Sequence, residues 1–452
     1  MRASLALLQA WMFGPFTKPP QVNPVITPNP AVVWEAYATF NPAAVVKDGK
    51  VFLLYRAEDA SGTQQIGGHT SRLGLAESTD GLHFTRRVTP VLYPDSDAQR
   101  QYEWPGGVED PRIVESDDGT YVLSYTQWNR DVPRLAVATS RDLISWTKHG
   151  PAFARVGGQY MRTESKSGAI LSRIDGDRLI ATRVNGKYWM YFGVPDLRIA
   201  TSENLLDWTP LEDSRGGAIK VLSARPGFFD SWLVEAGPPA LLTPAGILVL
   251  YNAGSLPSHT YSAGQALFDA HDPTKLIARS DTAFIKPTES YERTGQYTAG
   301  TTFVEGLAPF RGRWFLYYGT ADSRVGVAVW DPQGQSPAQA IVGTWHGTST
   351  CVDKQVDRAC KDEEVIYEID SAAGPRGPVR ISADKIVNGA RDNMGVFRLT
   401  YDSTADLWFA DLNTRIRARW TFVPHGNSIV GDLRELPARR LVRRIAVRRV
   451  AQ

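Results

Sequence analysis

The sequence predicts an all-β protein: a five-bladed β-propeller over residues 31–335, followed by a small C-terminal β-barrel or sandwich. Three observations carry this. A strand-and-turn pattern recurs five times before residue 335, and it stops near residue 340. Aromatic residues make up 10% of the chain, with 39 glycines and 29 prolines, a composition of packed strands joined by many turns. No helical periodicity of useful length competes within residues 30–330.

The first recurring element is a turn followed by a strand that ends in tyrosine. Its copies run Asp48-Gly49 to Tyr55, Asp118-Gly119 to Tyr125, Asn185-Gly186 to Tyr191, Ala245-Gly246 to Tyr251 and Arg311-Gly312 to Tyr317. The Asp-Gly and Asn-Gly pairs supply the positive φ that tight hairpin turns need. A second element follows each tyrosine and centres on Ala76, Ala138, Ala200, Ala266 and Ala328, 62–66 residues apart. A small residue at a fixed place in a strand suits close packing against a neighbouring sheet. Units of this length, each with several short strands, fit propeller blades and are too long for a solenoid.

The flanking segments differ. Residues 1–30 are proline-rich and read as an extended lead-in. Met1-Arg2 and the apolar stretch Ala3 to Met12 could be the remnant of a secretion signal. Residues 340–452 form a separate, accessory, loosely lipocalin-like β domain, beginning at Gly343-Thr344-Trp345. It carries both cysteines, Cys351 and Cys360, which would close a disulfide in an exported protein or remain free thiols otherwise. The pair favours a periplasmic or secreted location over a cytoplasmic one. The arginine run from Arg439 to Arg449 reads as the solvated face of a terminal strand or helix; a phosphate or membrane-surface contact is the alternative.

The formal net charge of +2 provides no global field for nucleic acid. No apolar run reaches the length of a membrane span. The sequence contains no phosphate-binding glycine loop, no nucleophile elbow and no spacing for a metal site, so neither a metal nor an organic cofactor is expected.

In a propeller the innermost strands converge on one axis, so chemistry should come from the segments just before each turn-tyrosine strand. The second blade offers Gly106-Gly107-Val108-Glu109-Asp110-Pro111-Arg112, poor material for a regular strand. The fourth offers Glu235 between Val234 and Ala236, a candidate buried acid of raised pKa. The fifth offers Glu289, Glu292, Gln296, Tyr297, Glu305 and Asp322; the first offers Asn41 and Arg56-Ala57-Glu58-Asp59; the third offers Lys166-Ser167-Gly168. Local ion pairs and solvated loops would account for any one of these. Acids from two blades facing one axis match glycoside cleavage, in which one carboxylic acid protonates the leaving oxygen and a carboxylate activates water.

These residues resemble a known family. The Val108-Glu109-Asp110-Pro111-Arg112 segment, the Arg56-Ala57-Glu58-Asp59 segment, the repeated Ala-x-Ser-x-Asp pattern and Tyr317-Tyr318-Gly319-Thr320-Ala321-Asp322 are similar to glycoside hydrolase family 130, over about residues 20–335. The resemblance implies a five-bladed propeller acting on β-mannosides, as a mannosidase or a phosphorylase. It makes Asp110 the general acid of an inverting reaction, with its proton relayed through a hydroxyl of the mannose. Asn41, Arg56, Asp59, Arg112 and Asp322 then match sugar-contacting or site-shaping positions, and Tyr251 is counted with them. Phosphorylases of the family read Tyr-His-Gly where this chain reads Tyr251-Asn252-Ala253-Gly254, and they carry basic residues for phosphate.

The expectation is therefore an inverting, exo-acting β-mannosidase on β-1,2- or β-1,4-linked manno-oligosaccharides. Glu235 is the first choice for the base and Glu292 the second. Lys166 supports the alternative, a phosphorylase with inorganic phosphate as co-substrate. A non-catalytic glycan-binding propeller and a glycosidase for another sugar, such as an arabinoside or fructoside, are further alternatives.

Overall fold

The computed structural model describes residues 11–20, 22–61, 67–332, 337–356, 360–371, 379–402, 407–413, 416–425 and 428–450. Most of the apolar N-terminal stretch considered as a signal remnant lies outside these residues. The chain divides into two compact units, Met1–Pro332 and Gln333–Gln452.

The first unit consists of five antiparallel strand groups in chain order. The first is Ala38–Lys47, Lys50–Glu58, Ser71–Ser78 and Thr85–Arg86, each paired with the next. The second is Gly107–Glu115, Tyr121–Trp128, Arg134–Ser140 and Thr147–Pro151. The third is built on Ala169–Asp175, Lys187–Phe192 and Leu197–Ser202, and the fourth on Leu233–Ala236, Gly246–Gly254 and Tyr261–Phe268. The fifth is Phe303–Phe310, Arg313–Thr320 and Arg324–Trp330. The N-terminal lead-in completes this last group, since Thr17 and Ile26 bridge to Val329 and Val325.

Neighbouring groups touch in a cycle. Ser71 pairs with Gly107, Glu115 with Ile180, Leu171 with Ala240 and Tyr261 with Thr301, all in parallel register. The ring of contacts closes where Thr39 N donates to Ser323 O of the fifth group.

Both positions of the sequence repeat are buried. Tyr55, Tyr125, Tyr191, Tyr251 and Tyr317, and the five alanines from Ala76 to Ala328, are at most 1% exposed. The tyrosines do more than fill space. Tyr55 OH donates to Glu35, which also pairs with Arg86. Tyr125 OH donates to Glu103, paired with Lys148, and Tyr251 OH donates to Asp230, paired with Arg279 and Arg225. In the fifth group this tyrosine–carboxylate–cation clamp falls on Tyr318, Glu292 and Lys18, so Tyr318 takes the place that the repeat pattern gives to Tyr317. The bare backbone of Gly74, Gly264 and Gly326 lets the rings of Tyr55, Tyr251 and Tyr318 lie across the neighbouring strand; a Cβ there would stand inside each ring.

The second unit is a closed barrel of eight antiparallel strands, from Gly343–Cys351 to Leu441–Arg449, which pair with each other. Trp345, Tyr367, Trp420 and Phe422 fill its interior. The arginine run is its last strand: Ile445 and Val447 point inward and Arg444 and Arg448 outward, as period-2 alternation requires. Arg443 and Arg449 are partly sequestered, Arg443 by Glu363 and Ser349, Arg449 over the Trp345 ring. Cys351 and Cys360 form a disulfide.

A carboxylate-rich candidate active site

Part of the site arises where the first strands of the first, second and fifth groups break their ladders. Pairing slips between Phe40 and Pro42, between Glu109 and Arg112, and between Val304 and Gly306, so Asn41, Asp110 and Glu305 lie at bulges. Asn41 (φ 44°), Asp110 (φ 48°), Ser167 (φ 60°) and Asp322 (φ 49°) are all left-handed. This conformation costs non-glycine residues of order 1–3 kcal/mol each, and such costs concentrate where side chains must be aimed for function. The prolines after Asn41 and Asp110 and the glycines after Ser167 and Glu305 are the local signs of these breaks.

A cavity of about 300 Å³ collects these residues: Asn41, Arg56, Glu58, Glu109, Asp110, Lys166, Glu235 and Asp322 supply its polar wall. Phe40, Trp128, Tyr261, Tyr297 and Phe303 supply aromatic surface. Sugars suit such a mixture, in which ring faces stack on aromatics and hydroxyls meet dense polar groups.

Asp110 Oδ1 accepts hydrogen bonds from Asn41 Nδ2 at 2.9 Å and Arg56 Nη1 at 3.1 Å. Burial pushes its carboxyl up, but Arg56, Lys166, the Asn41 bond and Arg112 outweigh this and hold it below the ordinary range. Its neighbour Glu109 behaves oppositely. Burial pushes it to about 7, helped by Asp110 and Glu58, although Arg56 Nη2 lies 2.8 Å away. Asp322 is likewise pushed to about 7, chiefly by burial. Near neutral pH Glu109 and Asp322 are therefore the cavity carboxyls that can still hold a proton, while Asp110 is a carboxylate.

Glu235, 2% exposed, accepts from Ser167 Oγ and lies 3.6 Å from Lys166 Nζ. Glu235 holds the lysine in its charged form, although burial opposes this. Arg56 sits over the Phe40 ring and faces Glu58, Glu109 and Asp110 together. Asn41 Oδ1 and Thr301 Oγ1 are buried without a hydrogen-bond partner among the described residues.

Of the sequence candidates, Asn41, Arg56, Asp110, Lys166, Glu235 and Asp322 meet in this cavity. Four do not. Glu292 is corrected: it caps a short 3-10 turn, binds Lys18 and Tyr318, and is a clamp residue. Tyr251 is corrected for the same reason, its hydroxyl being committed to Asp230. Asp59 lies past the end of its strand and pairs with Arg72 at 2.5 Å. Arg112 lies behind the cavity wall. It holds the carbonyls of Asp110, Ala236 and Gly237 and pairs with Glu305, tying three groups together as a positioning residue.

Glu58, Glu109 and Tyr261 were not among the chosen candidates, yet they line the cavity. Strand alternation was the missed signal for Glu58: two positions after Arg56, it shares that residue's face, whereas Asp59 follows the strand end. For Glu109 alternation misleads, because the left-handed Asp110 lets consecutive side chains reach one cavity.

Among the described residues, no group of three or more His, Cys, Asp or Glu side chains is arranged to hold a metal ion. A family model described as beta-1,4-mannooligosaccharide phosphorylase matches residues 19–333. A curated 1,2-beta-oligomannan phosphorylase of Thermoanaerobacter sp. (strain X514) is 32% identical over 312 residues, 68% of this chain and 94% of its own length. The solved structure of a provisionally assigned glycoside hydrolase from Parabacteroides distasonis is 52% identical, with a TM-score of 0.71, over 72% of this chain and 99% of that one. Another solved structure, 49% identical with a TM-score of 0.70, covers 72% of this chain and 96% of its own. It was reported with the finding that the GH130 family of mannoside phosphorylases contains glycoside hydrolases that target beta-1,2 mannosidic linkages in Candida mannan.

Proposed function

Because the chain belongs to glycoside hydrolase family 130, we propose that it cleaves β-mannosidic linkages by a single inverting displacement in this cavity, with water as the acceptor. We read the cycle of five strand groups as the five blades of a propeller, with the cavity at its axis. Asp110 is the residue through which the leaving oxygen is protonated. Its lowered pKa means the proton must come from a neighbour or a sugar hydroxyl, and Glu109, pushed to about 7, can hold it. Glu235, oriented by Ser167 and Lys166, activates the attacking water.

The name of the curated relative favours the second reading, phosphorolysis to mannose 1-phosphate. On curated names alone that reading leads, and Lys166 and Arg56 give it cationic partners. The observation that carries the hydrolase reading is the charge of the wall. Five carboxyl groups (Glu58, Glu109, Asp110, Glu235 and Asp322) face two cations, and both cations are already paired with carboxylates, so that even with protons on Glu109 and Asp322 the wall has no unpaired positive charge to offer. A phosphate dianion entering that wall meets repulsion, whereas water does not. The 49% identical neighbour supports the same side.

Incubating the protein with β-1,2- and β-1,4-mannobiose, with and without inorganic phosphate, tests this. The expected result is free mannose at a rate independent of phosphate. Turnover only with phosphate, yielding a sugar phosphate, assigns the second reading instead.

A further inference from the structure

Outside the cavity, on the side of the fourth strand group, stands an exposed tryptophan that the cleavage reaction does not use. Trp232 is 37% exposed. Its indole lies against Gly254 on the adjacent strand, where a Cβ would clash with the ring, so one face is seated on bare backbone. His259 and Tyr261 pack against the indole in T-shaped contacts, with ring centroids 4.7 and 5.8 Å away.

The loop beneath is pinned. His259 is left-handed (φ 53°) and its N–H donates to Ser255 O. Leu256 N donates to Ser231 Oγ, and Tyr297 OH donates to His259 O at 2.6 Å. Tyr297 and Tyr261 in turn line the cavity, with ring centroids 5.4 Å apart. A continuous aromatic path thus leads from the cavity wall to Trp232. The cavity's own tryptophan is seated in the same way: Trp128 lies on Gly106, and a side chain at that glycine would clash with its ring.

We propose that Trp232, supported by His259 and Tyr297, is an outer carbohydrate platform that stacks a sugar ring beyond the pair cleaved in the cavity, so that the enzyme favours manno-oligosaccharides over mannobiose. This rests on the mannoside reading above. An indole seated on bare backbone and still 37% exposed offers the apolar ring surface that packs on a pyranose ring. The polar backbone and imidazole beside it suit the ring's hydroxyls.

Calorimetric titration of the full chain carrying Asp110→Asn, with and without Trp232→Ala, is the test, using β-1,2-mannobiose and β-1,2-mannotetraose. The expected result is an affinity for the tetraose about tenfold lower in the double variant, with mannobiose affinity unchanged. Unchanged mannobiose binding also shows that the variant is folded. Equal effects on the two saccharides, or none on either, overturn the platform and leave the cavity reading intact. If neither saccharide binds even with Trp232 present, the mannoside reading falls and the platform with it. His259→Ala is a second variant and is expected to weaken the tetraose selectively as well.

Discussion

Three cations (Arg56, Lys166 and Arg112) and the Asn41 hydrogen-bond donor act on Asp110, so its neighbours, not its burial, set its charge. Asp110→Asn should lower kcat by about 10²–10⁴ while leaving saccharide binding in place, measured as a split between kcat and KM. Glu235→Gln should do the same, whereas Glu292→Gln should leave kcat alone. Glu109 and Asp322 give a pH signature. Their ordinary values are 4.5 and 3.8, and the fold pushes both to about 7. Between those limits the folded chain keeps protons that the unfolded chain has released, so raising the pH favours unfolding. The thermal midpoint of the ligand-free protein should therefore fall as pH rises from about 5 to about 7, and Glu109→Gln should flatten that fall. A midpoint that rises over this window contradicts the burial argument. The same residues mark what could be read in advance. Asp110 and Glu235 stand out in the sequence because each interrupts an apolar strand. Asp59 and Glu292 look equally suitable there, since a sequence shows a carboxylate but not its partner. Arg72 and Lys18 lie 13 and 274 positions away and decide the matter only in three dimensions.

At the scale of the strand groups, the turn-tyrosine pattern was legible because each tyrosine must be buried and must also find an acceptor. Three groups meet that demand with a carboxylate and a cation, Glu35 with Arg86, Glu103 with Lys148 and Asp230 with Arg279; in the fifth the clamp of Glu292 and Lys18 serves Tyr318, while Tyr317 donates to Gly81 O. In the third group Tyr191 donates to Pro273 O instead. The acceptors come from loops of differing length, and so no fixed spacing announces them. Removing one member leaves a buried charge unpaired. Asp230→Ala should cost about 3–5 kcal/mol of stability, while Tyr251→Phe should cost about 1.5–3 kcal/mol. Chemical denaturation measures both, and activity per folded molecule should be unchanged in each. A loss of less than 1 kcal/mol in Asp230→Ala would mean that the clamp is peripheral to the fold.

For the whole molecule, the boundary seen in the sequence near residue 335 reflects a change of construction, from five strand groups whose first strands carry polar breaks to a closed eight-stranded barrel filled chiefly by Trp345, Tyr367, Trp420 and Phe422. The family match ends at residue 333, where the second unit starts. A chain ending at Pro332 should therefore fold and retain the mannoside-cleaving activity, checked by comparing kcat/KM with that of the full chain. What the sequence could not convey was the bulge geometry, because a left-handed Asn41 or Asp110 has no compositional mark beyond the adjacent proline. That geometry is the basis of the central claim, a water-using inverting cleavage between Asp110 and Glu235. The most direct test is a proton NMR time course of β-1,2-mannobiose cleavage in phosphate-free buffer. The account predicts that the first mannose released from the non-reducing end is the α-anomer, before mutarotation. Release of the β-anomer, or no cleavage until phosphate is added, would contradict it.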